Sequence, residues 1–181
     1  MPIVAFATLT LASVLQDTPQ VTAPPSLGDK IVSISAEAIG KKFGTGECAE
    51  FVDHVLRSAK AKPFGSWKDD PKPGDYVWGN RIATVDSPQT PTLAEIRPGD
   101  ILQFRDAKFE LKTTYRRETI TASHHTAIVE SYDPKTGMAT LLHSNSEGRI
   151  HVSRSRYPLS KITQGQFWAY RAVPANSASS R

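Results

Sequence analysis

The chain has 181 residues, of which 39% are hydrophobic and 22% are charged. This length and balance suit one globular domain with a sizeable hydrophobic core, and they exclude an intrinsically disordered protein. The formal net charge of +4 favours anionic surroundings without naming one. A single cysteine excludes an intramolecular disulfide, and no HExxH, Walker or GxSxG motif occurs. We therefore expect neither a metal nor a cofactor.

The two ends of the chain differ in composition from the rest. Residues 1–15 contain an uncharged apolar run, too short to span a bilayer, that suits a signal peptide, although a core element is the alternative. Residues 16–28 are rich in Pro, Thr and Ser, as in an extended linker. We therefore predict a secreted or periplasmic bacterial protein with no transmembrane anchor. The folded domain is expected over residues 29–173, followed by a disordered tail over residues 174–181.

Two helices are expected at the start of this domain. Gly28 and Asp29 can cap the first, which ends near Gly44. The second runs from Cys48 to about Lys60 and carries an inward-facing apolar stripe. Its apolar positions are Cys48, Phe51, Val52, Val55, Leu56 and Ala59. The cysteine thus lies in the first turn, where free backbone N–H groups and the helix dipole favour a thiolate, although an inert buried cysteine is equally compatible.

The remainder of the chain is predicted to form antiparallel strands. A DPKTG turn at residues 133–137 joins two apolar runs into a hairpin. The charged segment over residues 105–121 is an edge strand or a long loop, and a solvated hairpin is the favoured interpretation. Helices followed by strands indicate an α+β fold with the helices packed on an antiparallel sheet. The expected strands are residues 76–79, 101–104, 124–132, 138–145, 150–163 and 166–173.

Polar side chains on this hairpin are placed where a nucleophilic cysteine needs them. A cysteine nucleophile requires a base, and the base requires a third group that fixes its tautomer. Cys48 supplies the thiol and His125, on the first strand, the imidazole. His143 and Asn145 lie two residues apart on the partner strand, so they are expected to share a face, and either can orient His125. The backbone N–H of Cys48 can help to hold an oxyanion.

Three blocks of sequence carry a family resemblance. Residues 46–52 (GECAEFV) place the cysteine at a helix start, residues 97–104 (RPGDILQF) lead a turn into a strand, and residues 125–130 (HTAIVE) form the histidine strand. Together they resemble the papain-like cell-wall peptidases of the CHAP and NlpC type. The resemblance implies a papain-like fold and a cysteine amidohydrolase or peptidase that cleaves peptidoglycan or a related peptide or amide. His143 and Asn145 occupy the positions that complete the site in CHAP members, and His143 also fits the third residue of NlpC members.

Three other functions remain open. An acyltransferase or thioesterase can use the same acyl-enzyme. In a catalytically silent module, Cys48 is part of the core and the basic segment 149–161 binds an anionic polymer. The charges of Glu47 and Glu50 favour that possibility because they oppose a thiolate. A zinc site formed by Cys48, His125 and His143 is the third possibility. We expect a monomer that does not bind nucleic acid, because the basic residues are not interleaved with aromatic ones.

Overall fold

A computed structural model describes residues 24–67, 75–87, 93–112, 114–115, 117–146 and 148–176. Within these ranges, two helices precede an antiparallel sheet of six strands in the order β1-β6-β2-β3-β4-β5. The predicted α+β architecture, with helices packed on an antiparallel sheet, is confirmed. The elements are α1 (Leu27–Glu37), α2 (Cys48–Ser58), β1 (Asn80–Asp86), β2 (Ile101–Lys112), β3 (Arg117–Asp133), β4 (Met138–His143), β5 (Ser153–Pro158) and β6 (Ile162–Arg171).

Helix α1 begins earlier than the sequence pattern predicted. Its N-cap is Ser26, whose hydroxyl accepts a hydrogen bond from the backbone N–H of Asp29. Asp29 in turn accepts from the backbone N–H of Ser26 at 2.9 Å, which completes a capping box. Asp29 is therefore the third residue of the helix rather than its cap. Residues 27 and 28, which were assigned to the linker, belong to the helix, which ends at Glu37 instead of near Gly44.

Helix α2 begins at Cys48, as its periodicity predicted, and its apolar stripe faces the sheet. Phe51, Val52, Val55 and Leu56 are fully buried and belong to the cluster of apolar side chains between the helices and the sheet. The sheet contributes to this cluster from four neighbouring strands, through Tyr170, Ile101, Ile128 and Leu142. The packing of this stripe fixes the orientation of the first turn of α2, and so the position of its cysteine.

The hairpin prediction for β3 and β4 is confirmed. Asp133 pairs with Met138 across the DPKTG turn, where Gly137 adopts a φ of 70°. The hairpin favoured for residues 105–121 is also present, because β2 extends to Lys112 and β3 begins at Arg117. It is not solvated on both faces, however, because Ala107 and Phe109 are buried. Alternation along β3 places Ala127 and Val129 in a second apolar cluster, on the sheet face opposite the one occupied by Ile128.

A predicted strand and the predicted end of the domain differ from the structure. Residues 76–79 are not a strand, because Trp78 is buried by aromatic contacts with Phe64 and Tyr76 rather than by strand pairing. The neighbouring strand is β1 instead, which pairs with β6. Pro174, assigned to the tail, forms a β-bridge with Ala61. The predicted signal peptide lies outside the described residues, as do residues 177–181. No helix among the residues described is long and apolar enough to cross a membrane.

Candidate active site

The turn before α2 is organised around one carboxylate. Oε2 of Glu50 accepts hydrogen bonds from the backbone N–H groups of Thr45 (2.8 Å), Gly46 (3.2 Å) and Glu47 (3.1 Å). It also accepts from the hydroxyl of Thr45 at 2.7 Å, and this bond is the main cause of the lowered pKa of Glu50. The acid that the sequence presented as an obstacle to the thiolate therefore serves mainly to hold the turn in place.

The same turn requires a glycine at position 46. Gly46 has a φ of +104°, in the left-handed region that L side chains rarely adopt. A Cβ atom at this position would lie 2.8 Å from the Cβ of Ile150. The turn therefore packs closely against the connection between β4 and β5, and both segments approach the start of α2.

Cys48 lies at the end of the β3–β4 ladder. Leu142 pairs with Ile128, and β4 ends one residue later at His143, so Thr126 lies beyond the last paired residues. The backbone of Thr126, the residue that follows His125, lies near enough to the thiol of Cys48 to lower its pKa. The start of α2 is thus seated where β4 leaves β3, beside the strand segment that carries the histidine.

The thiol of Cys48 is neutral at rest. Its side chain is 7% exposed, and burial is the largest influence on its pKa, which lies above the ordinary value of a thiol. The charge of Glu47 raises the pKa further, whereas backbone hydrogen bonds with Thr126, Ala49 and Cys48 itself lower it. The backbone groups at the helix terminus thus lower the pKa as expected, but desolvation outweighs them, which favours the alternative of a buried, protonated cysteine in the resting site.

The two predicted histidines are in direct contact. Nε2 of His125 lies 2.7 Å from Nδ1 of His143, and both rings are buried, with exposures of 7% and 0%. The bond leaves Nδ1 of His125 as the ring nitrogen available to a thiol. Burial is the main cause of both pKa shifts. It lowers the pKa of His125 to about 3, with a contribution from His143, and that of His143 to about 4, with a contribution from Arg149. Both imidazoles are therefore neutral at physiological pH.

Asn145 does not join this pair. The predicted shared face with His143 is wrong, because β4 ends at His143 and Asn145 adopts a left-handed φ of 53°. Its Nδ2 donates instead to Oε2 of Glu47 at 2.7 Å, and the hydroxyl of Ser144 donates to the carbonyl of Glu47 at 3.2 Å. The residues after β4 thus fasten the start of α2. No local sequence pattern indicates these contacts or the role of Thr126, because each joins segments that are distant in the chain.

Metal binding receives no support from this geometry. Among the residues that the structure describes, no group of three or more His, Cys, Asp or Glu side chains is arranged to hold a metal ion. This applies to the zinc alternative based on Cys48, His125 and His143. What the arrangement offers is a thiol near the segment of β3 that carries His125, together with two neutral imidazoles in contact with each other.

A cysteine at the start of a helix, packed on an antiparallel sheet that supplies the histidines, defines a domain with a papain-like cysteine proteinase fold. The chain belongs to the AIM3/BBC1 cysteine proteinase-fold domain family, whose model matches residues 15–180. The predicted CHAP and NlpC resemblance is thus supported at the level of the fold and not of that particular family.

A curated relative is Altered inheritance of mitochondria protein 3 of the yeast Debaryomyces hansenii, 29% identical over 153 residues. The match covers 82% of this chain but only 16% of that protein. Among solved structures, the crystal structure of Ly7917 is 15% identical, with 79% of this chain and 62% of that chain covered and a TM-score of 0.44. Ly7917 with the hydrolyzing product of MDP is 16% identical, with coverages of 81% and 63% and a TM-score of 0.45.

Proposed function

We propose that this domain is a cysteine-dependent hydrolase of peptide or amide bonds, with Cys48 as nucleophile, His125 as acid and base, and His143 as the orienting residue. The observation that carries the proposal is the 2.7 Å contact between Nε2 of His125 and Nδ1 of His143. The next residue along β3 is Thr126, whose backbone lies near the thiol of Cys48. An orienting group on the nitrogen opposite the nucleophile is what a Cys–His pair needs.

The neutral resting state determines how the first step proceeds. Nδ1 of His125 accepts the thiol proton while the sulfur of Cys48 forms a bond to the substrate carbonyl carbon. The imidazolium so formed keeps its Nε2 proton directed at Nδ1 of His143, which stays a neutral acceptor. The carbonyl oxygen gains negative charge, and the backbone N–H of Cys48, in the first turn of α2, helps to stabilise it.

The second half of the cycle restores the thiol. His125 passes the proton to the leaving nitrogen as the carbon–nitrogen bond breaks, which leaves an acyl-thioester on Cys48. His125 then accepts a proton from water as the water oxygen attacks the thioester carbonyl, and returns it to the departing sulfur. If an alcohol, amine or thiol attacks the acyl-enzyme instead of water, the domain acts as an acyltransferase. If the substrate is a thioester instead of an amide, it acts as a thioesterase. Analysis of the products separates these reactions.

The substrate is proposed only as a class. Peptidoglycan is the specific substrate that the CHAP and NlpC resemblance implied, and it stays a prediction that the yeast relative does not support. The proposed secretion or periplasmic location, the absence of nucleic-acid binding and the monomeric state also stay predictions. We therefore restrict the proposal to a carbonyl in a peptide or related amide.

One observation favours a catalytically silent module as second candidate. Burial raises the pKa of Cys48 and holds both histidines neutral, which is also how inert core residues behave. Against this, Cys48 belongs to neither of the two apolar clusters formed by the described residues, whereas its neighbours Phe51 and Val52 do. The basic segment proposed to bind a polymer is also partly neutralised, because Arg154 forms a two-pronged ion pair with Glu130.

The deciding experiment measures the rate of Cys48 alkylation by iodoacetamide against pH, in the wild type and in His125→Ala, with His151→Ala as the control at an exposed histidine. A general base predicts a slower rate at neutral pH in His125→Ala only. Turnover of a peptide-amide library should disappear in Cys48→Ser and His125→Ala while circular dichroism stays unchanged. Alkylation that occurs only on unfolding, or undiminished turnover in either variant, would establish the silent module instead.

A further inference from the structure

Two buried polar atoms without hydrogen-bond partners lie on neighbouring strands, one of them in the histidine pair itself. One is Nε2 of His143, on β4, and the other is the hydroxyl oxygen of Ser153, on β5. His143 and Ser153 are directly paired in the register of these strands. Paired residues of adjacent strands point to the same face of a sheet, with Cβ atoms about 4.5–5.5 Å apart. The two unpartnered atoms therefore share one face and one position along the sheet.

The tautomer that catalysis requires places a proton on one of these two atoms, Nε2 of His143. For His125 to accept the thiol proton on Nδ1, its Nε2 must carry a proton and donate it to Nδ1 of His143. A neutral His143 that accepts on Nδ1 necessarily carries its own proton on Nε2. That N–H group is buried and requires an acceptor, and a serine hydroxyl has two lone pairs to offer.

We propose that Ser153 is a positioning residue, whose hydroxyl accepts the Nε2 proton of His143 and so fixes the tautomer of both histidines. The bond forms directly, after rotation about the Cα–Cβ bond of Ser153, or through one bridging water. The hydrogen-bond series then runs from Ser153 through His143 and His125 to the thiol of Cys48. The inference rests on the proposed function, since the tautomer matters for catalysis only if His125 is the base.

The choice of Ser153 follows from its position. Ser155 lies on the same strand and face but pairs with Leu141, an apolar residue, so it has no imidazole to orient. Ser155 is therefore a matched control, because it has the same side chain, the same strand and the same partial burial. Threonine at position 153 keeps the hydroxyl and suits a strand, which makes Ser153→Thr the conservative variant.

The experiment combines a tautomer measurement with a rate. The 15N chemical shifts of the His143 ring report directly which nitrogen carries the proton. We expect a proton on Nε2 in the wild type, in Ser155→Ala and in Ser153→Thr, and a mixture of tautomers in Ser153→Ala. The alkylation rate of Cys48 at neutral pH should fall about three- to tenfold in Ser153→Ala alone, the effect of one hydrogen bond.

The outcomes separate this inference from the proposed function. An unchanged His143 tautomer in Ser153→Ala, or an equal loss of rate in Ser155→Ala, overturns the role of Ser153. An alkylation rate that does not depend on His125 refutes the hydrolase instead, and the 15N measurement still decides whether Ser153 holds His143. The measurements use the full chain, and thermal unfolding of each variant shows whether it folds.

Discussion

The two sides of the candidate site are built by opposite means. On the cysteine side, the turn before α2 is rich in hydrogen bonds, and one carboxylate oxygen of Glu50 accepts four of them. On the histidine side, two buried rings share a single hydrogen bond, and one ring nitrogen of His143 has no partner. On the cysteine side, many donors stabilise a charged carboxylate. On the histidine side, burial keeps both imidazoles uncharged.

This difference sets the order of the expected mutational effects. Exposed groups on the cysteine side are surrounded by water and by alternative donors, so the loss of one contact is partly compensated. Removing a buried partner on the histidine side leaves its neighbour without compensation. Substitutions at the histidines should therefore have the largest consequences, and those around Glu47 the smallest.

The largest effect is expected from His143→Ala compared with Asn145→Ala. Loss of His143 removes the hydrogen-bond partner of His125 in the described part of the chain, so turnover should fall about 100-fold or more. Loss of Asn145 removes a contact to Glu47, so turnover should fall less than about tenfold. The measurement is kcat on the same amide substrate. A larger loss of kcat in Asn145→Ala than in His143→Ala would instead support the orienting role that the sequence also allowed for Asn145.

The second effect concerns stability against pH. Burial lowers the folded-state pKa of His125 to about 3 and that of His143 to about 4, from the ordinary 6.5. Below pH 6.5 the unfolded chain binds protons that the folded chain does not, so stability is fully present above this pH and declines as pH falls towards these values. Between pH 6.5 and 5, the free energy of unfolding should decrease by roughly 2 kcal/mol per histidine.

Urea unfolding at a series of pH values measures this decrease. The window ends at pH 5 because carboxylates, which contribute their own dependence, remain ionised above it. His143→Asn should flatten the curve, whereas the exposed His151→Asn should leave it unchanged. A wild-type curve that is already flat across this window would show that the histidines are not held neutral by burial.

The comparison also explains what the sequence could reveal. Helix α2 and the β3–β4 hairpin were predictable, because an apolar stripe and a DPKTG turn are local signals. Strand β1 was not, because it pairs with β6, whose residues lie 80 to 91 positions later in the chain than their partners. The burial of Trp78 by other aromatic residues likewise depends on tertiary contacts.

The features of the candidate site also fall into those that local sequence patterns predict and those that depend on tertiary structure. Cys48 and His125 could be chosen from the sequence, since each sits at a recognisable position of a helix or strand. The choice between His143 and Asn145 could not be made, because it depends on where β4 ends. The raised pKa of Cys48 was also out of reach, since the helix position is visible in the sequence whereas the degree of burial is not.

The smallest expected effect tests the electrostatics of the cysteine side. The charge of Glu47 contributes to the raised pKa of Cys48, after burial. Glu47→Gln removes that charge but keeps an oxygen that can accept from Asn145. The pKa of Cys48 should fall, and alkylation at pH 8 should accelerate about threefold, as expected for one nearby charge that is partly screened by water. Glu47→Asp retains the charge and should leave the rate nearly unchanged. A gain that is as large in Glu47→Asp would mean that the turn had loosened, because a shorter side chain alters packing without removing charge.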